Sequence, residues 1–148
     1  MNKNLLAPCG LYCGVCGVYI ASRDNKQKLK EKLAAAYNVT SDQIACKGCL
    51  SDVKFVFCQV CGIRTCVTEK NIEGCHCCED FPCKHIEGFP VPAGKKVILR
   101  SVPDRKKLGT QKWVQSEEAR HTCPHCSSLM FRGAKRCGQC KEMVQIEL

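Results

Sequence analysis

Sixteen of the 148 residues are cysteine, and most of them stand in pairs that two residues separate. A Cys-x2-Cys pair offers two sulfurs from one tight turn to the same ion, so two pairs supply the four tetrahedral ligands of Zn²⁺. The clearest set lies near the C-terminus, where ten residues separate one pair from the next: Cys123 and Cys126, then Cys137 and Cys140. This spacing predicts a zinc ribbon.

Burial of apolar side chains alone is expected to stabilise the fold of this chain only weakly. The hydrophobic fraction of 45% includes the cysteines, and the whole length holds five Phe, three Tyr and one Trp. Small domains with thin cores use disulfides or metal ions, and the redox compartment decides which. No apolar run resembles a signal peptide or has the roughly 20 residues of a membrane span. We therefore expect a cytoplasmic protein with no membrane partner, whose paired cysteines bind metal.

The formal net charge of +9 counts every cysteine as a neutral thiol. Metal ligands are thiolates, so four Zn²⁺ ions on sixteen sulfurs would lower the charge to +1. Residues 86–122 contain no cysteine and keep their eight basic against four acidic groups. A true basic patch is therefore expected in that stretch.

Eleven more cysteines in the N-terminal part are predicted metal ligands. Two Cys-x2-Cys pairs with eight residues between them, Cys46 to Cys61, repeat the pattern of the ribbon with a shorter insert. Cys77 is left out because it adjoins Cys78, and neighbouring side chains rarely chelate one ion. Which sulfurs share an ion stays open, and His85 is the best substitute ligand. The predicted ligands are Cys9, Cys13, Cys16, Cys46, Cys49, Cys58, Cys61, Cys66, Cys75, Cys78 and Cys83.

An iron–sulfur cluster in the N-terminal part is the alternative to zinc there. Iron and zinc both accept tetrahedral sulfur. The Cys9-x3-Cys13-x2-Cys16 spacing also matches radical enzymes that cleave S-adenosylmethionine. Those enzymes need a partial α/β barrel, and no repeated strand–helix pattern follows the motif.

Apolar spacing and capping residues predict the secondary structure. Thr40 or Ser41 caps a short helical turn, and residues 52–57 have the composition of a strand. Pro103 breaks a long helical stretch, and Asp104 caps its second part. Pro90, Pro92 and Gly94 mark a linker or turn. Helices are predicted over residues 18–37, 63–71, 79–88, 95–102 and 104–119.

These elements predict a small metal-stabilised α+β fold that is mostly helical. A cysteine-rich domain with zinc-knuckle turns covers residues 1–90. A basic helical connector follows over residues 91–120, with Trp113 on its apolar face. The zinc ribbon occupies residues 121–148. Three or four Zn²⁺ ions are expected in all.

Four blocks of the sequence carry a resemblance to a known family. They are the opening from Ala7 to Cys16, Cys46-Lys-Gly-Cys49, Cys61-Gly-Ile-Arg-Thr-Cys66, and the stretch from Glu73 to Cys83. In this order they resemble the prokaryotic family called domain of unknown function 3795, over roughly residues 7–88. The resemblance implies a cytosolic zinc-binding protein and supplies no activity. Some members carry a C-terminal ribbon preceded by a Trp-containing helix, and Cys77 is an addition to the family pattern.

The residues indicate binding rather than catalysis. No Ser-His-Asp set, phosphate loop or His-Glu-x-x-His helix is present, and closed all-sulfur sites are structural. We expect a non-enzymatic zinc-binding module that presents a surface to protein or nucleic acid. The alternative is an iron–sulfur or thiol-redox protein. The basic segment that would meet phosphate comprises Lys95, Lys96, Arg100, Arg105, Lys106, Lys107 and Lys112.

Overall fold

The computed structural model describes residues 1–146. Within them the chain is mostly helical, as predicted, and its β-structure consists of three isolated two-residue bridges. Isolated bridges do not make a sheet, so the α+β expectation is not confirmed. The helices are α1 (Gly17–Arg23), α2 (Gln27–Tyr37), α3 (Val56–Gln59), α4 (Gly62–Glu69), α5 (Lys84–Glu87), α6 (Pro92–Leu108) and α7 (Thr110–Arg120).

The helix predicted over residues 18–37 is two helices, because the chain turns at Asn25. Asn25 has a φ of 47°, in the left-handed region that Asn tolerates better than most residues. The Lys26 backbone N–H then donates to the carbonyl of Ala21 at 3.0 Å and closes the turn. Helix α2 packs back on α1, and the small buried side chains of Ala21 and Ala34 belong to the same core cluster.

The strand predicted over residues 52–57 is not formed. The chain bends there and enters α3, where the Cys58 N–H donates to the carbonyl of Phe55 at 2.7 Å. Phe55 is buried, and its ring centroid lies 5.1 Å from that of Tyr37. A short apolar run fits a strand and a buried helical turn equally well. The turn forms here because it buries Phe55.

Two shorter helical predictions have different outcomes. Residues 63–71 form α4 within two positions of the prediction, but residues 79–88 form only the four-residue α5. Pro82 explains the short helix, since a proline disfavours the helical conformation of the residue before it. The Thr40 cap is confirmed: its side chain and that of Gln43 form a capping box.

Helix α6 continues through Pro103, so the predicted break and the Asp104 cap are wrong. Pro103 is exposed, and Asp104 instead pairs with Arg100 one turn earlier at 3.2 Å. The buried side chains on the opposite face outweigh the backbone hydrogen bond that proline removes. The break lies at Gly109, whose φ of 76° ends the helix.

The predicted linker around residues 90–94 is largely helix as well. Pro92 occupies the first turn of α6, where a missing N–H costs nothing because that group has no helical partner. The basic segment is therefore one long helix followed by a second.

Helices α6 and α7 pack directly on the first cysteine loop. Trp113 is completely buried, and its indole N–H donates to the Ser101 hydroxyl at 2.8 Å. That hydroxyl donates to the carbonyl of Gly10 at 2.7 Å. Gly10 has a φ of 84°, and a Cβ there would lie 2.8 Å from Val102 Cγ2. The loop between Cys9 and Cys16 is thereby fixed against both helices.

The segment between the two C-terminal cysteine pairs also contacts the N-terminal loop. The Arg132 backbone N–H donates to the carbonyl of Val15 at 2.7 Å, and its guanidinium donates to the carbonyl of Tyr12 at 3.1 Å. Phe131 lies against Gly17, where a Cβ would be 3.2 Å from the ring. The C-terminal segment that carries the last four cysteines is therefore packed on the rest of the protein.

The apolar core is divided into four small clusters, and sulfur belongs to three of them. Cys9 and Cys75 are buried in one, Cys46 in a second, and both Cys123 and Cys137 in a third. The remaining cluster surrounds Trp113. Small separate cores stabilise a chain weakly, so the groups that bind these sulfurs matter for stability.

Replacement of Ser101 by Ala tests the contact between α6, α7 and the first loop. The substitution removes one hydroxyl that serves both Trp113 and Gly10, and it leaves a buried donor and a buried acceptor unpaired. We expect a loss of about 1–3 kcal/mol in the free energy of unfolding, measured by urea denaturation of the metal-loaded protein. Ser116→Ala on α7 is the matched control, and equal midpoints for the two variants would contradict the prediction.

Candidate metal centre

Two hairpins with the same backbone hydrogen bonds carry the C-terminal cysteines. In the first, the Cys123 N–H donates to the carbonyl of Ser128, and the Ser127 N–H donates back to the carbonyl of Cys123, both at 2.9 Å. The second hairpin repeats both bonds at the same offsets from Cys137, at 2.9 and 3.1 Å. The repeat shows that the cysteine spacing, rather than the residues between, sets this backbone.

Each hairpin turns at a residue with positive φ, four positions after its first cysteine. These residues are Ser127, at 58°, and Lys141, at 67°. The turn points both sulfurs of a hairpin to the same side. An isolated β-bridge closes each hairpin: Thr122 with Leu129, and Arg136 with Met143.

The two hairpins face each other and bring four sulfurs together, all within 4.8 Å of one another. The Sγ atoms of Cys123 and Cys140 are 3.7 Å apart, and those of Cys126 and Cys137 are 3.6 Å apart. A disulfide bond has a length of about 2.0 Å, whereas a tetrahedron with metal–sulfur bonds of about 2.3 Å has edges of about 3.8 Å. The sulfurs therefore have the spacing that one four-coordinate ion requires.

The thiols of this quartet differ in acidity because their neighbours differ. The Ser128 hydroxyl, 3.1 Å from Cys137 Sγ, and the backbone N–H groups of Cys140 and Gln139 lower the pKa of Cys137 to about 5. The Glu142 N–H also favours the Cys140 thiolate, but burial and the three other sulfurs raise the pKa of Cys140 to about 12. Cys137 therefore ionises easily, whereas Cys140 resists ionisation. All four thiols can be ionised together only beside a cation, and a set of four sulfur donors fits a dication.

A second set of four cysteines lines one small cavity in the N-terminal part. The cavity lies between α4 and α5 and has a volume of about 20 Å³, slightly more than the ~10–15 Å³ that a single water needs. Burial, followed by the charges of the other three sulfurs, raises the pKa of Cys75 to about 12. The four cysteines are Cys66, Cys75, Cys78 and Cys83.

A lysine lies beside this second set. The ammonium of Lys70 is 3.5 Å from Cys78 Sγ and also pairs with Asp80. A cation at this distance stabilises a thiolate, and residues that contact ligands in this way tune a metal site. The surroundings of Cys78 therefore favour the ionised form that binds metal.

The remaining N-terminal sulfurs fall into two neighbourhoods. Burial and the nearby sulfurs of Cys49 and Cys61 raise the pKa of Cys9 to about 12. Burial and the sulfurs of Cys16, Cys49 and Cys46 raise the pKa of Cys58 to about 12. The sulfur of Cys61 also raises the pKa of Cys58, so both Cys49 and Cys61 are common to the two neighbourhoods.

A backbone hydrogen bond near Cys49 matches one in the C-terminal quartet. The Gly48 N–H donates to Cys46 Sγ at 3.3 Å, at the same two-residue offset as the Gln139 N–H to Cys137 Sγ at 3.4 Å. The φ of Gly48 is 116°, and a Cβ there would lie 2.3 Å from the Asn4 carbonyl oxygen. Glycine is therefore required for the chain to bring its N–H to this sulfur.

Within residues 1–146, tight groups of three or more Cys, His or acidic side chains occur twice. One is the C-terminal quartet. The other consists of Glu73, His76 and Cys77. The predicted N-terminal ligands are gathered around common spaces but do not reach the same mutual spacing, so their division among ions stays a prediction.

The group at Glu73, His76 and Cys77 was missed by sequence reasoning. Cys77 was discarded there because it adjoins Cys78, and the nearby carboxylate was not considered. The signal was present as Glu-x2-His-Cys, which places three metal-binding residue types within five positions.

The other histidines have separate surroundings. His85 lines the cavity of the second cysteine set and also a larger surface cavity of about 370 Å³. His121 is buried, with Nδ1 2.8 Å from the Glu117 carbonyl oxygen, which is a structural contact. His125 is exposed within the first C-terminal hairpin and is not a member of its sulfur group.

Much of the predicted basic segment is used inside the protein. Arg105 is buried, bonds to Glu73 and stacks on Trp113, with 4.9 Å from its guanidinium carbon to the ring centroid. Arg100 pairs with the buried Glu117, and the ammonium of Lys95 donates to a backbone carbonyl at 2.8 Å. The exposed members are Lys96, Lys106, Lys107 and Lys112.

Comparisons with known proteins locate the N-terminal part in a family. A family model described as "Protein of unknown function (DUF3795)" matches residues 5–88, which is the region of the four blocks found in the sequence. No curated protein and no solved structure matches the chain. Of the helices in residues 1–146, none has the length and apolar character to cross a membrane.

Replacement of Cys137 by Ser tests the C-terminal quartet. Because it removes one corner of the tetrahedron and the most acidic thiol, we expect the protein to lose one bound ion per chain and to keep the others. Elemental analysis together with protein concentration measures this count. His125→Ala in the same pair of hairpins should keep the full complement, and equal metal content in the two variants would contradict the assignment.

Proposed function

This chain belongs to the DUF3795 family of proteins of unknown function, and we propose that it is a zinc-thiolate binding module without catalytic activity. The observation that carries the proposal is the C-terminal quartet, whose sulfurs have the spacing of a closed tetrahedral site. A closed site leaves no position for substrate or water, so its ion stabilises structure. Bound zinc would supply this stabilisation by attracting four thiolates that otherwise repel one another and by offsetting two of their four negative charges.

We assign the other sulfurs to three further ions. The cavity between α4 and α5 supports one site made of Cys66, Cys75, Cys78 and Cys83. Seven predicted ligands remain, and two tetrahedral ions need eight. Cys49 and Cys61 both adjoin the two neighbourhoods, and Cys49 also lies near Cys13 and Cys46. A shared Cys49 therefore completes the count. In this proposal one ion is bound by Cys9, Cys13, Cys61 and Cys49, and the other by Cys16, Cys46, Cys58 and the same Cys49.

The domain boundaries and the compartment are part of the same proposal. The N-terminal metal domain ends near residue 90, helices α6 and α7 act as a packed connector, and the two hairpins form a zinc ribbon. All sixteen cysteines are free of disulfides, which supports a reducing compartment such as the cytoplasm.

Metal identity is tested by anaerobic purification followed by elemental analysis and absorption spectroscopy. We expect about four Zn²⁺ per chain and a colourless protein. Iron with visible absorption bands would favour the alternative, an iron–sulfur protein, for which the Cys9-x3-Cys13-x2-Cys16 spacing is the supporting observation.

Removal of metal should unfold the protein, because the four apolar clusters are small and three of them contain cysteine. Addition of a strong zinc chelator is expected to abolish the helical circular dichroism signal and the thermal transition. Restoration of both by added Zn²⁺ is the control for chemical damage. An unchanged spectrum and melting temperature after complete metal removal would refute a structural role.

For the partner, we propose a phosphate-bearing macromolecule, in first place nucleic acid. The support is an exposed lysine set on α6 and α7: Lys96, Lys106, Lys107 and Lys112. Residues 86–122 contain no cysteine, so metal binding does not offset this charge locally. Lysines at such a surface act as point charges for a phosphate backbone.

The double variant K106E/K107E tests this surface by fluorescence anisotropy with a short labelled duplex DNA. We expect weaker binding, and a plot of log K against log salt that is shallower by about 2, since each lysine contact contributes about 1 to the slope. The matched control is K28E/K32E on α2, which makes the same charge change on another exposed face. Equal loss in both variants, or wild-type affinity that does not change with salt, would contradict the proposal.

A further inference from the structure

Glu73, His76 and Cys77 form a cluster of three different metal-binding side chains outside the sulfur centres. Their ligand atoms lie within 4.8 Å of one another. We propose that these residues bind an additional Zn²⁺ ion, with a fourth coordination position left open to water or a small anion. The site is independent of the closed thiolate centres and differs from them in chemistry, because it combines oxygen, nitrogen and sulfur donors.

The local backbone presents the three side chains to one point. Cys75–Cys77 is a single 3₁₀ turn, and Glu73 precedes His76 by three residues. The Glu73 Oε2 and His76 Nε2 atoms are 3.8 Å apart, too far for a direct hydrogen bond. Zinc bonds of about 2.1 Å to oxygen and nitrogen would place these atoms about 3.4 Å apart in a tetrahedron. A small movement of the exposed Glu73 side chain closes this difference.

The buried Arg105 side chain orients the Glu73 carboxylate by binding one of its two oxygens. Arg105 donates to Glu73 Oε1 and, through Nε, to the Thr110 hydroxyl at 3.1 Å. Its side chain is 1% exposed and is held by the Trp113 ring. Since Oε1 is engaged, Oε2 is the oxygen that remains for an ion. Groups that orient a ligating carboxylate in this way strengthen metal binding.

His76 supplies the second independent observation. Its side chain is 10% exposed, and its Nδ1 atom is buried without a hydrogen-bond partner. A buried polar side chain without a partner is costly. Nε2 is the nitrogen that faces Glu73 Oε2. Coordination through Nε2 gives this largely buried ring one strong partner and keeps the proton on Nδ1, which itself stays unpaired.

The site is open to solvent, in contrast to the closed centres. Cys77 is exposed, and the side chain of Glu73 is 58% exposed. Three protein ligands and an open position are the arrangement of zinc sites that exchange a water or substrate group. The ion here should therefore enter and leave without unfolding the protein.

A cobalt titration tests the site, with the full chain first freed of weakly bound metal by gel filtration so that only the zinc of the closed thiolate centres remains. We expect wild-type protein to bind one extra Co²⁺ per chain, with the near-ultraviolet absorption of a cobalt–thiolate bond and without release of zinc. Cys77→Ser should lose this absorption band. Glu73→Gln should weaken the extra Co²⁺ by about 10-fold or more, while its amide oxygen still accepts the Arg105 hydrogen bond.

The matched control is Glu79→Gln, which removes an exposed carboxylate two residues beyond Cys77 and should bind Co²⁺ as wild type does. Circular dichroism and zinc content verify that each variant is folded and that the thiolate centres are intact. Absence of an extra Co²⁺ in wild type, or unchanged uptake in both Cys77→Ser and Glu73→Gln, would overturn the proposal. Neither result bears on the closed zinc centres, whose own test is metal removal.

Discussion

The close approach of cysteine sulfurs is the constraint on which the rest of the structure depends, because thiolates this close repel one another unless a cation is bound between them. Sulfurs 3.6 to 3.7 Å apart are too far apart to be bonded and too close to ionise together without a positive partner. Three of the four core clusters contain buried cysteines. The sulfurs and the apolar side chains therefore share the same interior, so the metal binding that we propose and apolar packing would depend on each other. This is how a chain with one tryptophan and five phenylalanines forms several small cores.

Helices α6 and α7 join two of these cores, since Ile98 and Val102 of α6 belong to one cluster and Trp113 of α7 belongs to another. Trp113, Ser101 and Gly10 form a continuous chain of hydrogen bonds, and the Tyr12 hydroxyl donates to Glu118 on α7 at 2.7 Å. A basic stretch that suggested a binding surface thus has an internal face as well, where Arg105 stacks on Trp113. The lysines that remain exposed are those that the packing does not use.

The cysteine spacing alone predicted the C-terminal quartet, because the Cys-x2-Cys hairpin is a local structure. The N-terminal grouping was not predictable, since residues as distant in sequence as Cys9 and Cys61 approach one another there, and spacing carries no information on which loops meet. Local helix signals were reliable at the Thr40 cap and along α4. They failed at Pro103 and over residues 52–57, where burial of Val102 and Phe55 outweighed a proline and a strand-like composition. The Glu73 cluster was missed because the rule against adjacent ligands was applied to Cys77 and Cys78 without considering His76.

Arg132 links the two ends of the chain by hydrogen bonds. It lies between the C-terminal cysteine pairs, yet its backbone and guanidinium bind carbonyls of Val15 and Tyr12, which flank ligand candidates Cys13 and Cys16. Any ordering of one region lowers the entropy cost of ordering the other, and thermodynamic linkage makes this benefit reciprocal. Binding of an ion by the C-terminal quartet should consequently raise the metal affinity of the loop that holds Cys13 and Cys16, and binding at that loop should raise the affinity of the quartet by the same factor.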